Sequence, residues 1–179
     1  MQNTIICKVL SLNDLTDTFL SEFNRYQVTN QVLFKENHQY KMKSDHFIDD
    51  WDENKKAQVI HDLRICLDQG GRAIGAFDEA GLAGFANIDG CFFGSKMQYL
   101  ELPYIHISSE RRCSGIGKIL FKKCCEEAKK LGAGKLYIAA HPSVESQEFY
   151  KAMGCDEAVE INDVILSREP LDIQLEKIL

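Results

Sequence analysis

The run Arg112-Cys113-Ser114-Gly115-Ile116-Gly117 restricts the fold more than any other part of the chain, because it joins an apolar strand-like stretch to a long amphipathic one. From Gly115 to Leu131 the residues Ile116, Ile119, Leu120, Cys124, Ala128 and Leu131 share one side, lysines and glutamates take the other, and Gly132 supplies a stop. The stretch before it, Met97 to Ser108, reads as a strand interrupted at Pro103, which has no backbone N–H to give to a sheet ladder. A strand entering a glycine turn and then a helix aims unpaired amides and the positive end of the helix dipole at one point. An anion fits there, and Arg111, Arg112 and Lys118 add positive charge, so a pyrophosphate is a natural occupant. The pattern is not a P-loop, since Lys118 is followed by Ile119 and position 112 is not glycine. Nor is it a dinucleotide fingerprint, because Leu120 stands where the third glycine belongs. A helix start with no ligand is the alternative reading.

Around this unit the chain reads as one alternating domain. Ile5 to Leu10 suits a strand, and Ser11 or Asn13 can cap a helix carrying Leu15, Phe19, Leu20 and Phe23. Residues 24–50 are aromatic and polar without a clean period and carry no assignment. Glu53 to Asp68 is an amphipathic helix stopped by Gly70-Gly71, while Arg72–Phe77 and Leu82–Ile88 form a hairpin about Asp78-Glu79-Ala80-Gly81. Lys135–Ala140 is a strand and Glu145–Met153 a helix stopped by Gly154; Ala158–Ile161 and Ile173–Leu179 end the chain as strands. The expected order is β-α-α-β-β-β-α-β-α-β-β over a single domain of residues 1–179, a length one domain accommodates.

Composition narrows the function classes. With 45% hydrophobic residues the chain can fill a core, and its net charge of −6 argues against a protein that grips nucleic-acid phosphates. No run is apolar enough to span a bilayer and no export signal opens the sequence, so a cytoplasmic address without a membrane role is expected. The seven cysteines are odd in number and contain no Cys-x-x-Cys pair, which favours free thiols over a metal site. Cys113, beside two arginines at a helix start, sits where a thiol pKa falls, although a small loop residue is the simpler reading. The acidic stretch Asp49-Asp50-Trp51-Asp52-Glu53 can attract a cation or simply open a solvated helix.

Arg112-x-x-Gly115-x-Gly117 resembles the coenzyme A signature Gln/Arg-x-x-Gly-x-Gly/Ala of the GNAT superfamily, the general-control-related N-acetyltransferases. Phe149-Tyr150-Lys151-Ala152-Met153-Gly154 resembles that family's aromatic-Tyr motif, with Cys155 departing from its usual Phe. The likeness covers residues 98–155 best. It implies a mixed, mostly antiparallel α/β (α+β) sheet flanked by helices, and acetyl-CoA as donor with no metal. It also implies direct transfer to a primary amine of a small molecule or peptide. The stretch Ile105-His106-Ile107 would hold the pantetheine, through the backbone of Ile105 and Ile107, and Arg112, Cys113, Ser114, Gly115, Ile116, Gly117 and Lys118 would hold the pyrophosphate. Tyr150 would protonate the leaving thiolate, and Glu101, eleven residues before Arg112, would act as base through water, with His106 a second candidate. Beside these stand plainer readings: Tyr150 as a core aromatic, Glu101 as a solvated or salt-bridged carboxylate, His106 as a packed strand residue. Homodimers are common in that family. An acyl-CoA sensor, a transferase of longer acyl groups and a nucleotide-binding regulatory module remain the rivals.

Overall fold

A computed structural model describes residues 4–37 and 39–179. In chain order the elements are β1 (Ile6–Leu10), β2 (Tyr26–Glu36), β3 (Gln39–Asp50), α1 (Glu53–Asp68), β4 (Arg72–Asp78), β5 (Gly81–Ile88), β6 (Tyr99–Glu101) and β7 (Tyr104–Ile107). They continue with α2 (Ile116–Leu131), β8 (Lys135–Ala140), α3 (Val144–Ala152), β9 (Asp156–Glu157), α4 (Asp163–Arg168) and β10 (Ile173–Ile178). Two four-stranded sheets run β1-β4-β5-β7 and β6-β8-β10-β9, and β2 and β3 form a separate hairpin. Among the described residues every strand pairing is antiparallel except β6 with β8, so the sheet is mixed and mostly antiparallel, as the family resemblance implies.

The β4–β5 hairpin is covered on both faces, which is why its sequence reads as continuous apolar runs rather than alternation. Ala73 and Phe85 pack with Leu10, Val59, Ile60 and Leu63 beneath α1, while Ile74, Ala76 and Ala86 pack with Ile116, Leu120 and Cys124 beneath α2. Side-chain capping and a left-handed glycine set the helix limits. The Asp52 carboxylate accepts from the Lys55 amide at 2.7 Å at the start of α1, and Gly132 at φ 98° ends α2.

Three stretches differ from the expected order. Residues 11–23 form successive turns, with amides of Asp14, Leu15, Phe19, Ser21 and Phe23 each bonding three residues back. The Asp14 carboxylate takes the Ser11 amide at 2.8 Å and its hydroxyl at 2.7 Å, local bonds that compete with a helical ladder. Leu15, Leu20 and Phe23 are nevertheless buried, so the apolar pattern was that of a core segment and not of a helix. Residues 26–50, without an assignment from sequence, make the long β2–β3 hairpin, with a register shift between Thr29 and Gln31. In place of a strand at Ala158–Ile161 there is a two-residue β9 ending at Glu157, followed by α4. The Asn162 side chain caps α4 by accepting from Val164 at 3.1 Å and Ile165 at 3.2 Å, and the pair Asn162-Asp163 was the sequence signal for it.

Candidate active site

The two large sheets share one segment. Up to Leu102 it belongs with β8: Tyr99, Leu100 and Glu101 pair with Lys135, Leu136 and Tyr137, and the Leu102 amide donates to the Tyr137 carbonyl at 2.9 Å. Pro103 has no amide to continue this ladder, and β7 turns instead to β5, pairing Tyr104 with Asn87 and Ile107 with Gly84. The result is a V-shaped opening between β7 and β8. The Ser108 amide donates to the Ala83 carbonyl at 2.9 Å, so ladder alternation turns the amides and carbonyls of Ile105 and Ile107 away from β5 and toward the opening. An extended chain can add there as a further strand.

Past β7 the backbone makes a short 3-10 turn at Ser109–Arg111 and reverses through two left-handed residues, Cys113 at φ 60° and Gly115 at φ 84°. Gly115 caps α2 without a side-chain bond, and the first helical bond runs from the Ile119 amide to its carbonyl at 3.2 Å. The amides of Ile116, Gly117 and Lys118 therefore have no acceptor within the helix. Cys113, Ser114, Gly115 and Lys118 are exposed beside them. Of the arginines predicted to add charge, Arg111 is engaged by Asp78 at 2.7 Å, and Arg112 turns its Nε toward the Ile107 carbonyl at 3.3 Å, tying the loop to the opening. A Cβ at Gly115 meets open space but an unfavourable φ, whereas one at Gly117 would lie 3.2 Å from the Phe149 ring. The second glycine thus lets α2 pack on α3 as well as leaving its amide clear.

Tyr150 lies on α3 at 7% exposure, edge-on to Phe149 at 5.2 Å and Phe121 at 6.1 Å between ring centres. Burial, with the neighbouring Cys155, Cys124 and Asp172, pushes its phenol pKa up, so the group keeps its proton across working pH. Cys155, at the motif's departure from Phe, is buried beside it in the same core cluster.

His106 is half-buried against the edge of Trp51, with ring centres 4.9 Å apart. The Arg25 Nε donates to its Nδ1 at 3.2 Å, and burial with Arg25 and Arg112 holds its pKa well below the usual histidine value. Burial and the two arginines thus favour the neutral ring, and accepting from Arg25 at Nδ1 leaves Nε2 to carry the ring proton. Arg25 itself is buried, and its Nη1 finds no partner among the described residues. Sequence reading missed this residue, whose contact with His106 spans 81 positions.

On the side of the opening facing α1 is a cavity of about 400 Å³, walled by Pro103 and Tyr104 from one strand, Ala139 from the other, and α4. Glu101 lies in it at 7% exposure, and the Arg168 Nη2 donates to both its oxygens at 2.8 and 2.7 Å. Burial pushes the Glu101 carboxyl above its ordinary range, opposed by Arg168. The Tyr104 hydroxyl donates to Asp62 at 2.8 Å on the α1 wall. Asp89, Glu169 and Asp172 also face this space, giving it five carboxylates against the two cations Lys55 and Arg168. Among the described residues no cluster of metal-ligating side chains occurs, and no helix is long and apolar enough to cross a membrane.

Residues 30–155, which include the opening, the loop and Tyr150, match the model of the acetyltransferase (GNAT) family. No curated protein sequence matches the chain. Among solved structures it resembles a protein described as a streptothricin acetyltransferase from Bacillus anthracis, in complex with acetyl coenzyme A. That match has 12% identity, covers 100% of this chain and 99% of that one, and has a TM-score of 0.66. It also resembles the PaiA N-acetyltransferase of Thermoplasma acidophilum in complex with coenzyme A, at 15% identity over 98% of this chain and 99% of that one, TM-score 0.58. An aminoglycoside 6'-N-acetyltransferase complexed with coenzyme A matches 70% of this chain and 80% of its own, at 17% identity and TM-score 0.53. At these identities the likeness is one of fold; the family match over residues 30–155 carries the assignment, and the chain belongs to the GNAT acetyltransferase family.

Proposed function

We propose that residues 1–179 work as one domain that transfers the acetyl group of acetyl-CoA to the primary amine of a small molecule or peptide. The observation that carries this reading is the opening at Pro103 running directly into the loop with free amides at Ile116, Gly117 and Lys118. The pantetheine would add along Ile105-His106-Ile107 as an extra strand, using the backbone of Ile105 and Ile107. The pyrophosphate would take the loop amides, with Arg112, Cys113, Ser114, Gly115 and Lys118 around it. Acetyl-CoA and coenzyme A bound in the related folds support the choice of donor.

In this reading a neutral amine from the 400 Å³ cavity attacks the thioester carbonyl, which a β7 amide polarises. The C–N bond forms, the C–S bond breaks, Tyr150 supplies the proton to the departing sulfur, and the proton lost from the acylated nitrogen restores the Tyr150 hydroxyl. Glu101, held by Arg168, contributes negative charge to the wall that receives the amine. Seven free thiols suit the reducing cytoplasm.

The test is release of coenzyme A from acetyl-CoA in the presence of a panel of amino sugars, diamines and lysyl peptides. Release that depends on the amine, with mass gain of one acetyl group on it, is the expected result. Release with no amine acetylated, or binding of longer acyl-CoA without turnover, would favour the sensor reading instead. The loop assignment makes a second expectation: acetyl-CoA slows alkylation of Cys113, which is exposed beside the loop amides, while Cys91, exposed elsewhere, reacts at an unchanged rate. Equal slowing at both, or at neither, would contradict it.

A further inference from the structure

We infer that Asp172, rather than Glu101, takes the proton from a cationic amine acceptor; the inference rests on the acetyl-transfer reading above. Asp172 precedes the first residue of β10, and Ile173 pairs with Ala140 at the end of β8, so the carboxylate stands on the β8 side of the opening. It faces two cavities at once, the 400 Å³ space just described and a 410 Å³ groove beneath the β2–β3 hairpin. Among the described residues no other borders both.

What faces this carboxylate is unusual for a partly buried acid. Glu169 at the end of α4 and Asp49 on β3 are its charged neighbours, and Tyr150 on α3 lies close enough to feel its charge. Of the cations lining the two cavities, Arg168 gives its guanidinium to Glu101, Lys35 is held by Glu157 at 2.6 Å, Lys43 faces Asp45 at 3.8 Å, and Lys55 lies over the Trp51 ring at 6.0 Å. No hydrogen bond or ion pair reaches the Asp172 side chain among the described residues. Burial first, and then Glu169 and Asp49, push its carboxyl up to about 7. A carboxylate in that state is poised to exchange a proton near neutrality, whereas both oxygens of Glu101 already accept from Arg168.

The step balances simply. The ammonium of the acceptor gives one proton to Asp172, leaving a neutral amine and a neutral carboxylic acid. The amine lone pair then forms the C–N bond as the C–S pair leaves with sulfur and takes the Tyr150 proton, and the surplus N–H proton of the new amide passes to the Tyr150 phenolate and restores it. Five carboxylates against two cations around the cavity supply the field that draws a positively charged acceptor in.

The test is the pH dependence of kcat/KM with the fastest amine of the panel, for wild type, Asp172→Asn and Glu101→Gln, each checked for acetyl-CoA affinity by calorimetry. Wild type is expected to gain activity as pH rises through about 7. Asp172→Asn is expected to lose on the order of a hundredfold in kcat/KM and to lack that rise, with acetyl-CoA affinity unchanged. Glu101→Gln keeps the rise. A melting curve gives a readout independent of turnover. The folded-state pKa of Asp172 is raised, so its stability contribution is full at low pH and is lost as pH rises through about 7. Asp172→Asn is therefore more thermostable than wild type at pH 8, by a margin that shrinks toward pH 4. An Asn variant with wild-type turnover and the same pH rise, or one that melts lower at pH 8, would overturn the inference while leaving acetyl transfer intact. A wild type that acetylates no amine would instead remove the reaction itself, and the role of Asp172 with it.

Discussion

Tyr150→Phe is expected to lower kcat by on the order of a hundredfold while leaving acetyl-CoA affinity and the melting temperature close to wild type. The ring is held edge-on between Phe121 and Phe149, and Phe keeps every one of those contacts. The hydroxyl adds nothing visible to the packing: it takes part in no hydrogen bond with the described residues, and its environment is set by burial and by Cys155, Cys124 and Asp172. In the proposed reaction, removing it therefore removes the proton donor and little else. Tyr150→Ala separates the two roles, because it opens a cavity in the core cluster and costs roughly 3–5 kcal/mol of stability. A Phe variant with wild-type turnover would leave Tyr150 as a core aromatic and water as the donor.

Gly115→Val is expected to weaken acetyl-CoA binding by about one to two orders of magnitude. At φ 84° a β-branched residue is strained by roughly 1–3 kcal/mol, and each 1.4 kcal/mol that binding must supply is about tenfold in Kd. Space is not the obstacle, since a Cβ there meets no atom within 4 Å. The strain acts by turning the Ile116, Gly117 and Lys118 amides away from one another. Gly117→Val reaches the same end differently, through a Cβ 3.2 Å from Phe149 that pushes α2 off α3. Calorimetric titration of folded variants checks both, and an unchanged Kd for Gly115→Val would contradict the pyrophosphate assignment.

The parts of the fold legible in the sequence are those whose burial is regular. α2 announces itself by an apolar face and a glycine at each end, and β4, β5 and β8 by runs buried on both faces. Pro103 marked the break in the strand because the missing amide acts locally. The β2–β3 hairpin was illegible because it is half out of the core: Met42 is 62% exposed and Ile48 53%, so polar and apolar residues alternate with no consistent meaning. Residues 11–23 misled for the opposite reason, since Leu15, Leu20 and Phe23 are spaced like a helix face while Asp14 ties the backbone into turns. The loop and Tyr150 could be found from short motifs. Arg25 and Asp172 could not, because their surroundings are assembled from β3, α3, α4 and β7, segments far apart in the chain.

Hydrogen exchange of the backbone amides, with and without saturating acetyl-CoA, tests most directly whether the opening and its loop hold the donor. The predicted result is slower exchange at Ile105 and Ile107 and at Ile116, Gly117 and Lys118, with the β2–β3 hairpin tip near Glu36 unchanged. Binding of acetyl-CoA that leaves all five of those amides exchanging at their free rate would contradict the account.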